Sequence, residues 1–225
     1  MIRLEAFGAQ ALLITLAESP DDTLPLRIAQ LAERARCELG ALLTDCVPGW
    51  TTLVLHYDVR RIDLALLRTR VQALLADWPG VAVAEASGRV HEIAVWYAGE
   101  DLAEVARQCG LTPTQVIDLH AGRDYRVGAI GFAPGFAYLG ELDERLTLPR
   151  RSTPRTLVPA GSLAIAERQT AIYPQASPGG WHLLGRTAQR LFDPRREPPC
   201  PLAVGDRVRF VPVDEVAYRA AGGGT

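Results

Sequence analysis

A glycine- and proline-rich segment at residues 131–139, Gly-Phe-Ala-Pro-Gly-Phe-Ala-Tyr-Leu, has the composition of a ligand-binding turn. Its glycines, among them Gly135, permit positive φ angles or a close approach of the backbone to a ligand, and Pro134 stiffens the turn. Phe136 and Tyr138 can contribute to an aromatic wall with the Tyr138 hydroxyl as its polar tip. The alternative is a tight turn over a core aromatic cluster, and composition alone does not decide between the two.

Arginine dominates a second segment, residues 149–155, where Arg150, Arg151 and Arg155 stand between prolines. A guanidinium group is a planar, permanently charged fork that matches a carboxylate or a phosphate. The neighbouring prolines limit the freedom of the chain and so reduce the entropy lost on binding. The segment predicts a site for an anion, and the alternative is a solvated basic loop.

Paired glycines mark a third segment, residues 173–187, in which Gly179 and Gly180 lie between a proline and a tryptophan. The backbone amides of such a loop can point inward as a nest for an anion or an oxyanion. Arg186 stands on the strand that leaves the loop. The alternative is a β-hairpin with a glycine turn.

Among the histidines, His120 is the one most open to a functional interpretation. It closes a predicted helix, where the helix dipole favours a cation, and it can equally belong to the site. His56 lies in an apolar run, where a structural role is favoured. The spacing of the four histidines yields no Ser-His-Asp or Cys-His arrangement.

The residue composition excludes several kinds of chemistry. All 24 basic residues of the 225-residue chain are arginine, so no lysine is available for a Schiff base, for bound pyridoxal phosphate or biotin, or for a P-loop. The four cysteines form no C-x-x-C pair and have no histidine at ligand spacing. We therefore expect neither a metal site nor a disulfide framework.

Charge and hydropathy restrict the partners and the compartment. The net charge of −2 does not favour nucleic acid. The sequence shows no signal-peptide stretch and no apolar run of membrane-spanning length. We expect a cytoplasmic protein that binds neither nucleic acid nor membrane.

Residues 1–86 are predicted to form a small α+β domain that resembles a ferredoxin-like unit. Apolar periodicity and the turn residues Gly, Pro and Asp set its elements. They are strands at 2–7 and 11–17, a helix that follows Asp21-Asp22-Thr23 and ends at Gly40, strands at 41–47 and 51–57, a helix carrying Leu64 to Trp78 that stops at Pro79-Gly80, and a short last strand.

Residues 87–225 form the second predicted domain, joined to the first at Ser87-Gly88. A strand at 90–97 precedes two short helices. The first carries an apolar stripe and stops at Gly110, and the second is opened by a capping box between Thr112 and Gln115. Many short strands separated by turn residues favour a barrel or a sandwich. The predicted strands of this part are 124–131, 157–160, 162–166, 169–173, 181–187 and 206–213.

Taken together, these segments resemble the family that contains the B-type subunit of 5-oxoprolinase, allophanate-hydrolase subunit 1 and a Bacillus sporulation-kinase inhibitor. The order and spacing of the matching motifs run unbroken over about 70 residues. Glu167 and Ala171 depart from the resemblance, because the family often has glycine at these two positions. The motifs are His120, Tyr125-Arg126-Val127, 131–139, Pro149-Arg150, Pro154-Arg155, 158–162, Gln169-Thr170, Ile172-Tyr173-Pro174, 177–181 and Gly185-Arg186-Thr187.

The resemblance implies a cyclophilin-like β-barrel for the second domain and a partnership with other chains. The partners would be a larger C-type subunit, similar to allophanate hydrolase subunit 2, and an A-type subunit. The complex would convert 5-oxoproline to glutamate with ATP, the chain alone being inactive. The resemblance leaves open which member of the complex binds ATP.

The site that follows from these arguments binds a small anion. Arg155 and Arg186 would bind the substrate carboxylate or a phosphate, while Tyr138 and His120 would handle protons. The amides around Gly179 and Gly180 would stabilise charge on oxygen. The further substrate-binding residues in this hypothesis are Pro134, Gly135, Phe136, Arg150, Gln169, Tyr173 and Ser177.

Other functions stay open at this point. A related family member inhibits a sensor histidine kinase, so the chain can also be read as a regulatory binding protein. A third interpretation is an allophanate or urea amide-hydrolysis subunit. Prolyl isomerisation is not expected, because a shared barrel does not carry a shared site.

Overall fold

In a computed structural model, the chain divides into two compact units, Met1–Gly88 and Arg89–Thr225. The structure describes residues 2–19, 21, 23–78 and 88–224. Each unit has a hydrophobic core of its own. None of the helices among these residues is long and apolar enough to cross a membrane.

Four strands and two α-helices lie in the described part of the first unit. They are Arg3–Ala6 (β1), Ala11–Thr15 (β2), Leu24–Leu39 (α1), Leu43–Pro48 (β3), Thr52–Tyr57 (β4) and Leu64–Leu75 (α2). The sheet is antiparallel with strand order β1-β2-β4-β3. Side chains alternate along β4, which buries Leu53, Leu55 and Tyr57 against the helices.

The predicted ferredoxin-like arrangement is not established by these elements. The strand predicted after the second helix and the joint at Ser87 lie outside the described residues. So does Asp22, the middle residue of the Asp21-Asp22-Thr23 segment predicted before α1. Thr23 occupies the N-cap position, and Oδ1 of Asp21 accepts hydrogen bonds from the backbone amides of Thr23 and Leu24 at 2.7 and 2.9 Å.

Seven strands of the second unit close into a barrel, which confirms the predicted barrel fold. They are Val90–Trp96 (β5), Asp124–Ile130 (β6), Ala137–Gly140 (β7), Ser162–Ala166 (β9), Gln169–Ile172 (β10), His182–Arg186 (β12) and Arg207–Val213 (β13). Around the barrel the order is β10-β7-β6-β13-β5-β12-β9. Two further strands, Arg155–Val158 (β8) and Ser177–Gly179 (β11), pair outside it as an antiparallel ribbon.

The two faces of the barrel wall carry two different cores. Alternate residues of β9 belong to different cores. Leu163 and Ile165 pack in a cluster with side chains from all seven strands, while Ala164 and Ala166 pack in a smaller aromatic cluster. Only the barrel interior can gather side chains from every strand, so the smaller cluster covers the outer face. The predicted site segments therefore lie over the outside of the wall.

Three helices complete the second unit. They are Leu102–Cys109 (α3), Pro113–Ala121 (α4) and Glu215–Ala220 (α5). Gly110 ends α3 in the left-handed conformation, as its position after the apolar stripe predicted. The predicted capping box opens α4: Thr112 and Gln115 each accept a hydrogen bond from the other's backbone amide.

His120 lies fully buried among the barrel core residues, one helical turn after Val116 on the buried face of α4. Its Nδ1 is 2.8 Å from the Tyr97 hydroxyl, and its Nε2 is 2.9 Å from Oγ1 of Thr170. Thr170 donates its own hydroxyl proton to the carbonyl of Ala164, so it accepts a proton from Nε2 of the imidazole.

Burial lowers the pKa of His120 to about 3. The ring is therefore neutral at neutral pH, and the expected cation at the helix end is wrong: a charge cannot be kept among apolar side chains without a counter-ion. His120 also lies on the opposite face of the wall from Tyr138, because it contacts the interior residue Thr170, while Tyr138 packs with the outer cluster.

We predict that His120 makes the protein sensitive to mild acid. The unfolded chain takes up a proton near pH 6.5, but the folded chain does so only near pH 3, so stability falls as pH drops through this window. At pH 5 the free energy of unfolding should be about 2 kcal/mol lower than at pH 7 on this account. Urea unfolding at both pH values measures it.

The control for this prediction is His120→Gln, which keeps a polar side chain but cannot titrate. The variant should be less stable overall, yet its stability should change less between pH 7 and pH 5. An equally steep loss in the variant and the parent chain would contradict the assignment to His120.

Candidate functional site

Asp101 is the centre of a buried cluster of charged side chains beside the barrel. Oδ1 of Asp101 lies 2.8 Å from Nη1 of Arg151 and 2.8 Å from Nη2 of Arg155, and its Oδ2 accepts the backbone amide of Leu183 at 2.7 Å. Burial acts to raise the pKa of Asp101, but these hydrogen bonds and the two cations outweigh it, so the pKa is lowered. One carboxylate thus fixes two of the three predicted arginines.

The backbone near Asp101 explains how the carboxylate reaches this position. The amides of Gly99 and Asp101 donate to the carbonyls of Leu184 and Leu183 on β12. A Cβ atom at position 99 would lie 2.3 Å from the Leu183 carbonyl oxygen, so only glycine allows this approach. The short connection between β5 and α3 is therefore held directly against the strand that carries His182.

Phe136 is the centre of the aromatic cluster on the outer face of the wall. Its ring centroid lies 4.8 Å from that of Tyr138, 5.3 Å from that of Tyr173 and 5.9 Å from that of Trp181, all with edge-on geometry. Phe136 and Tyr173 are each only 2% exposed. Of the two interpretations of this segment, the arrangement matches the turn over a core cluster.

The turn before Phe136 is built for close packing. Gly135 has a φ of 80°, and a Cβ there would lie 2.5 Å from the carbonyl oxygen of Leu191. The Phe136 amide donates to the carbonyl of Ala133, which closes the turn around Pro134. Its only large side chain left in solvent is Phe132, at 64% exposure.

The paired glycines belong to the β8–β11 ribbon. Gly179 faces Arg155 across the ribbon, and a Cβ on it would lie 2.2 Å from the Tyr173 hydroxyl. The carbonyl of Gly180 accepts the backbone amide of Arg151 at 2.8 Å. Gly179 therefore lies in a strand paired with β8 and not in the turn of a hairpin between β11 and β12, and its close approach is to Tyr173. Ser177 opens β11 opposite Val158.

A cavity of about 400 Å³, here called the arginine pocket, lies where the arginine segment meets α3 and β12. His182, 5% exposed, lies in its wall and its Nε2 is 2.9 Å from the Pro149 carbonyl oxygen. The arginine pocket is lined by Glu104, Gln108, Pro149, Arg150, Arg151, Ser152, Thr153 and His182.

The charged side chains that line the arginine pocket differ in how firmly they are paired with other protein groups. Glu104 accepts from Arg107 and Gln108 on its own helix, and these bonds lower its pKa to about 2. Arg150 is 60% exposed in its side chain and approaches Glu167 at 3.5 Å, a loose pair in solvent. Arg150 is therefore the cation most easily turned toward an anion in this cavity.

The predicted site residues do not all meet there. Arg150 lines the arginine pocket. Arg155 does not line it but bonds Asp101, the carboxylate that also holds Arg151 of the pocket wall. Arg186 lies at the other end of β12 from His182, four residues and roughly 13 Å along the strand. Gln169 opens β10, where it pairs with Gly140 on β7 and with Ala166 on β9.

Sequence reasoning missed Asp101 and gave His182 no role. Asp101 sits 50 residues before Arg151, so no local spacing joins them. The one available signal was an acidic residue at the start of a predicted helix, two residues after Gly99. Within the described ranges, no group of three or more His, Cys, Asp or Glu residues is placed to hold a metal ion.

Comparison with known proteins identifies the class of this chain. Residues 2–202 match the family described as carboxyltransferase domain, subdomain C and D. The chain therefore belongs to this family. The resemblance predicted from the motifs is also confirmed, because curated relatives that match most of the chain bear the subunit name used in that prediction.

Two of these relatives are named as the B subunit of 5-oxoprolinase. The protein of Bacillus subtilis strain 168 is 34% identical over 97% of this chain and 95% of its own length. The protein of Escherichia coli O157:H7 is 44% identical over 77% of this chain and 79% of its own length. The crystal structure of TTHA0988 is 40% identical with a TM-score of 0.79, over 95% of this chain but only 40% of that longer chain.

Proposed function

We propose that the chain is the B-type subunit of an ATP-dependent 5-oxoprolinase, which opens 5-oxoproline to glutamate together with an A-type and a C-type partner. The observation that carries the proposal is a cavity of about 400 Å³ with two arginines in its wall, in a chain whose relatives over most of its length bear this subunit name. A cavity of this volume suits a small molecule, and its cations suit a carboxylate.

The substrate fits the chemistry of the arginine pocket. 5-Oxoproline carries one carboxylate and one lactam, so its binding needs a cation at one end and hydrogen-bonding groups at the other. Arg150 is proposed to bind the carboxylate, while Arg151 is held in place by Asp101. Arg155 is proposed as a positioning residue, since its guanidinium is also committed to Asp101.

The ATP-consuming step is proposed to belong to the whole complex. The chain has no P-loop lysine, and the family name and the subunit names of its relatives support a division of labour among chains. The longer crystal structure, of which this chain spans 40%, supports operation beside a further protein segment. The ferredoxin-like unit proposed for residues 1–86 carries none of the proposed pocket residues.

We predict that Arg150→Ala lowers kcat/KM for 5-oxoproline about tenfold in the assembled complex, a loss typical of one charge-assisted contact of about 1.4 kcal/mol. The measurement is 5-oxoproline-dependent ATP hydrolysis by the three co-expressed proteins of the complex. The substitution removes a side chain that is mostly exposed, so the fold should be unchanged.

The matched control is Arg145→Ala. Arg145 is as exposed as Arg150 and also pairs with one carboxylate, that of Asp143, but it does not line the arginine pocket. It should leave kcat/KM unchanged. If the parent complex fails to consume 5-oxoproline, the proposed function is wrong; if both variants behave alike, the site is misplaced.

A further inference from the structure

Glu167 occupies a backbone conformation that glutamate rarely adopts. Ala166 on β9 pairs with Gln169 on β10, so Glu167 and Arg168 form a two-residue turn between the strands. The φ angle of Glu167 is 55°. In this region Cβ crowds the backbone, so a turn that needs positive φ usually has glycine. A strained residue persists where the surrounding structure enforces it, and it often serves a function through its side chain.

The backbone of Glu167 is tied to the arginine segment. Its amide donates to the carbonyl of Leu148 at 2.6 Å, and the two residues form an isolated β-bridge. Leu148 is buried in the barrel core and stands two residues before Arg150. The approach of Glu167 to Arg150 is therefore set by fixed backbone and does not depend on two long side chains meeting by chance.

Glu167 and Arg150 form an ion pair at the edge of the arginine pocket. Oε1 of Glu167 lies 3.5 Å from Nε of Arg150, and the two side chains are 61% and 60% exposed. Arg150 lines the pocket, whereas Glu167 does not. The carboxylate that does line it, Glu104, is bonded to Arg107 and Gln108. Glu167 is thus the carboxylate that already approaches the exchangeable cation of the pocket.

We propose that Glu167 is an internal competitor for Arg150 and sets the affinity of the arginine pocket for the carboxylate of 5-oxoproline. The inference rests on the function proposed above, in which Arg150 binds that carboxylate. A carboxylate that reaches this guanidinium either displaces Glu167 or comes to lie beside a like charge, and both oppose binding. Glu167 is therefore an affinity-determining residue that acts through Arg150 and not on the reacting atoms.

The test is Glu167→Gln in the assembled complex, which removes the charge and keeps the length of an exposed side chain. KM for 5-oxoproline should fall about threefold with kcat unchanged, as the loss of a weak, exposed ion pair predicts. The dissociation constant, measured by calorimetry without ATP, should fall by the same factor. The difference from the parent should be largest at low ionic strength and should vanish near about 1 M salt, because the charges are in solvent.

Two controls isolate the pair. Glu141 lies 2.5 Å from Arg168, the neighbour of Glu167 in the same turn, and neither residue lines the arginine pocket. Glu141→Gln removes the same charge from the same region and should leave KM unchanged. In an Arg150→Ala background, Glu167→Gln should have no further effect on KM, because the group for which the carboxylates compete is absent.

An unchanged or higher KM in Glu167→Gln, in a complex that consumes 5-oxoproline, would overturn the inference and leave the proposed function intact. An equal effect of Glu141→Gln would also overturn it, since the charge of the region would then suffice. A parent complex without turnover contradicts the proposed function. In that case calorimetry with 5-oxoproline still decides about Glu167, and a complex that does not bind this ligand overturns the inference as well.

Discussion

Replacing Asp101 with alanine is expected to lower the free energy of unfolding by about 3–5 kcal/mol, the usual cost of removing one partner of a buried ion pair. The carboxylate is 6% exposed and bonds two guanidinium groups as well as the amide of Leu183. Its loss removes the buried counter-ion that Arg151 and Arg155 share and leaves one buried amide without an acceptor. Chemical denaturation followed by circular dichroism measures the change.

The neighbouring carboxylate provides the control. Glu100 lies next to Asp101 in sequence and also approaches Arg155, at 3.3 Å, but its side chain is 64% exposed. Glu100→Ala should cost less than about 1 kcal/mol, because an exposed ion pair is screened by solvent. Similar losses in the two variants would show that burial does not set the strength of this cluster.

Asp101→Asn separates charge from hydrogen bonding. Asparagine keeps an oxygen that can accept from the Leu183 amide, but it has no charge to balance two arginines. Its cost should fall between those of Asp101→Ala and Glu100→Ala. In the assembled complex both Asp101 variants should also lose activity, because Arg151 is no longer fixed in the pocket wall.

Local signals in the sequence predicted the parts of the fold that depend on neighbours in the chain. The capping box between Thr112 and Gln115 and the stop at Gly110 are each defined within four residues, and the structure has both. The many short strands predicted a barrel or a sandwich, and the family resemblance decided for the barrel that the structure has. These features follow from backbone geometry, which a few residue types control.

The strand Ala137–Gly140 was not predicted, because it follows directly on a segment rich in glycine and proline. Those residues are strong signals for a turn, and they outweighed the apolar alternation of Ala137 and Leu139. The ladder to β6 and β10 fixes this strand, and no local pattern reports pairing between residues far apart in sequence.

The sequence indicated which residue types could bind an anion but not how they are arranged. Arg150 and Arg151 line one cavity and Arg155 bonds the Asp101 carboxylate, whereas Arg186 lies at the other end of β12 from His182. The sequence could not indicate that Asp101 binds two of these arginines. It also could not indicate that the wall of the barrel separates His120 from Tyr138, since that depends on which face each strand residue takes.

Phe136→Ala is the second substitution with a large expected effect, a loss of about 3–5 kcal/mol in the free energy of unfolding. Phe136 is 2% exposed and its ring meets those of Phe132, Tyr138, Tyr173 and Trp181. Removing it opens a cavity that these rigid rings, held on three separate segments, cannot refill. Thermal and chemical unfolding of the purified chain measure the loss.

Two companion variants decide whether the aromatic segment packs or binds. Phe136→Leu retains most of the apolar volume and should cost only about 1–2 kcal/mol. Phe132→Ala removes a ring that is 64% exposed on the same turn and should change stability by less than about 0.5 kcal/mol.

Because the outer cluster holds the ribbon that carries Arg155, the Phe136 variants should lose activity in proportion to their loss of stability. A Phe136→Leu protein of near-normal stability that had lost 5-oxoproline turnover would instead make this ring part of the substrate site.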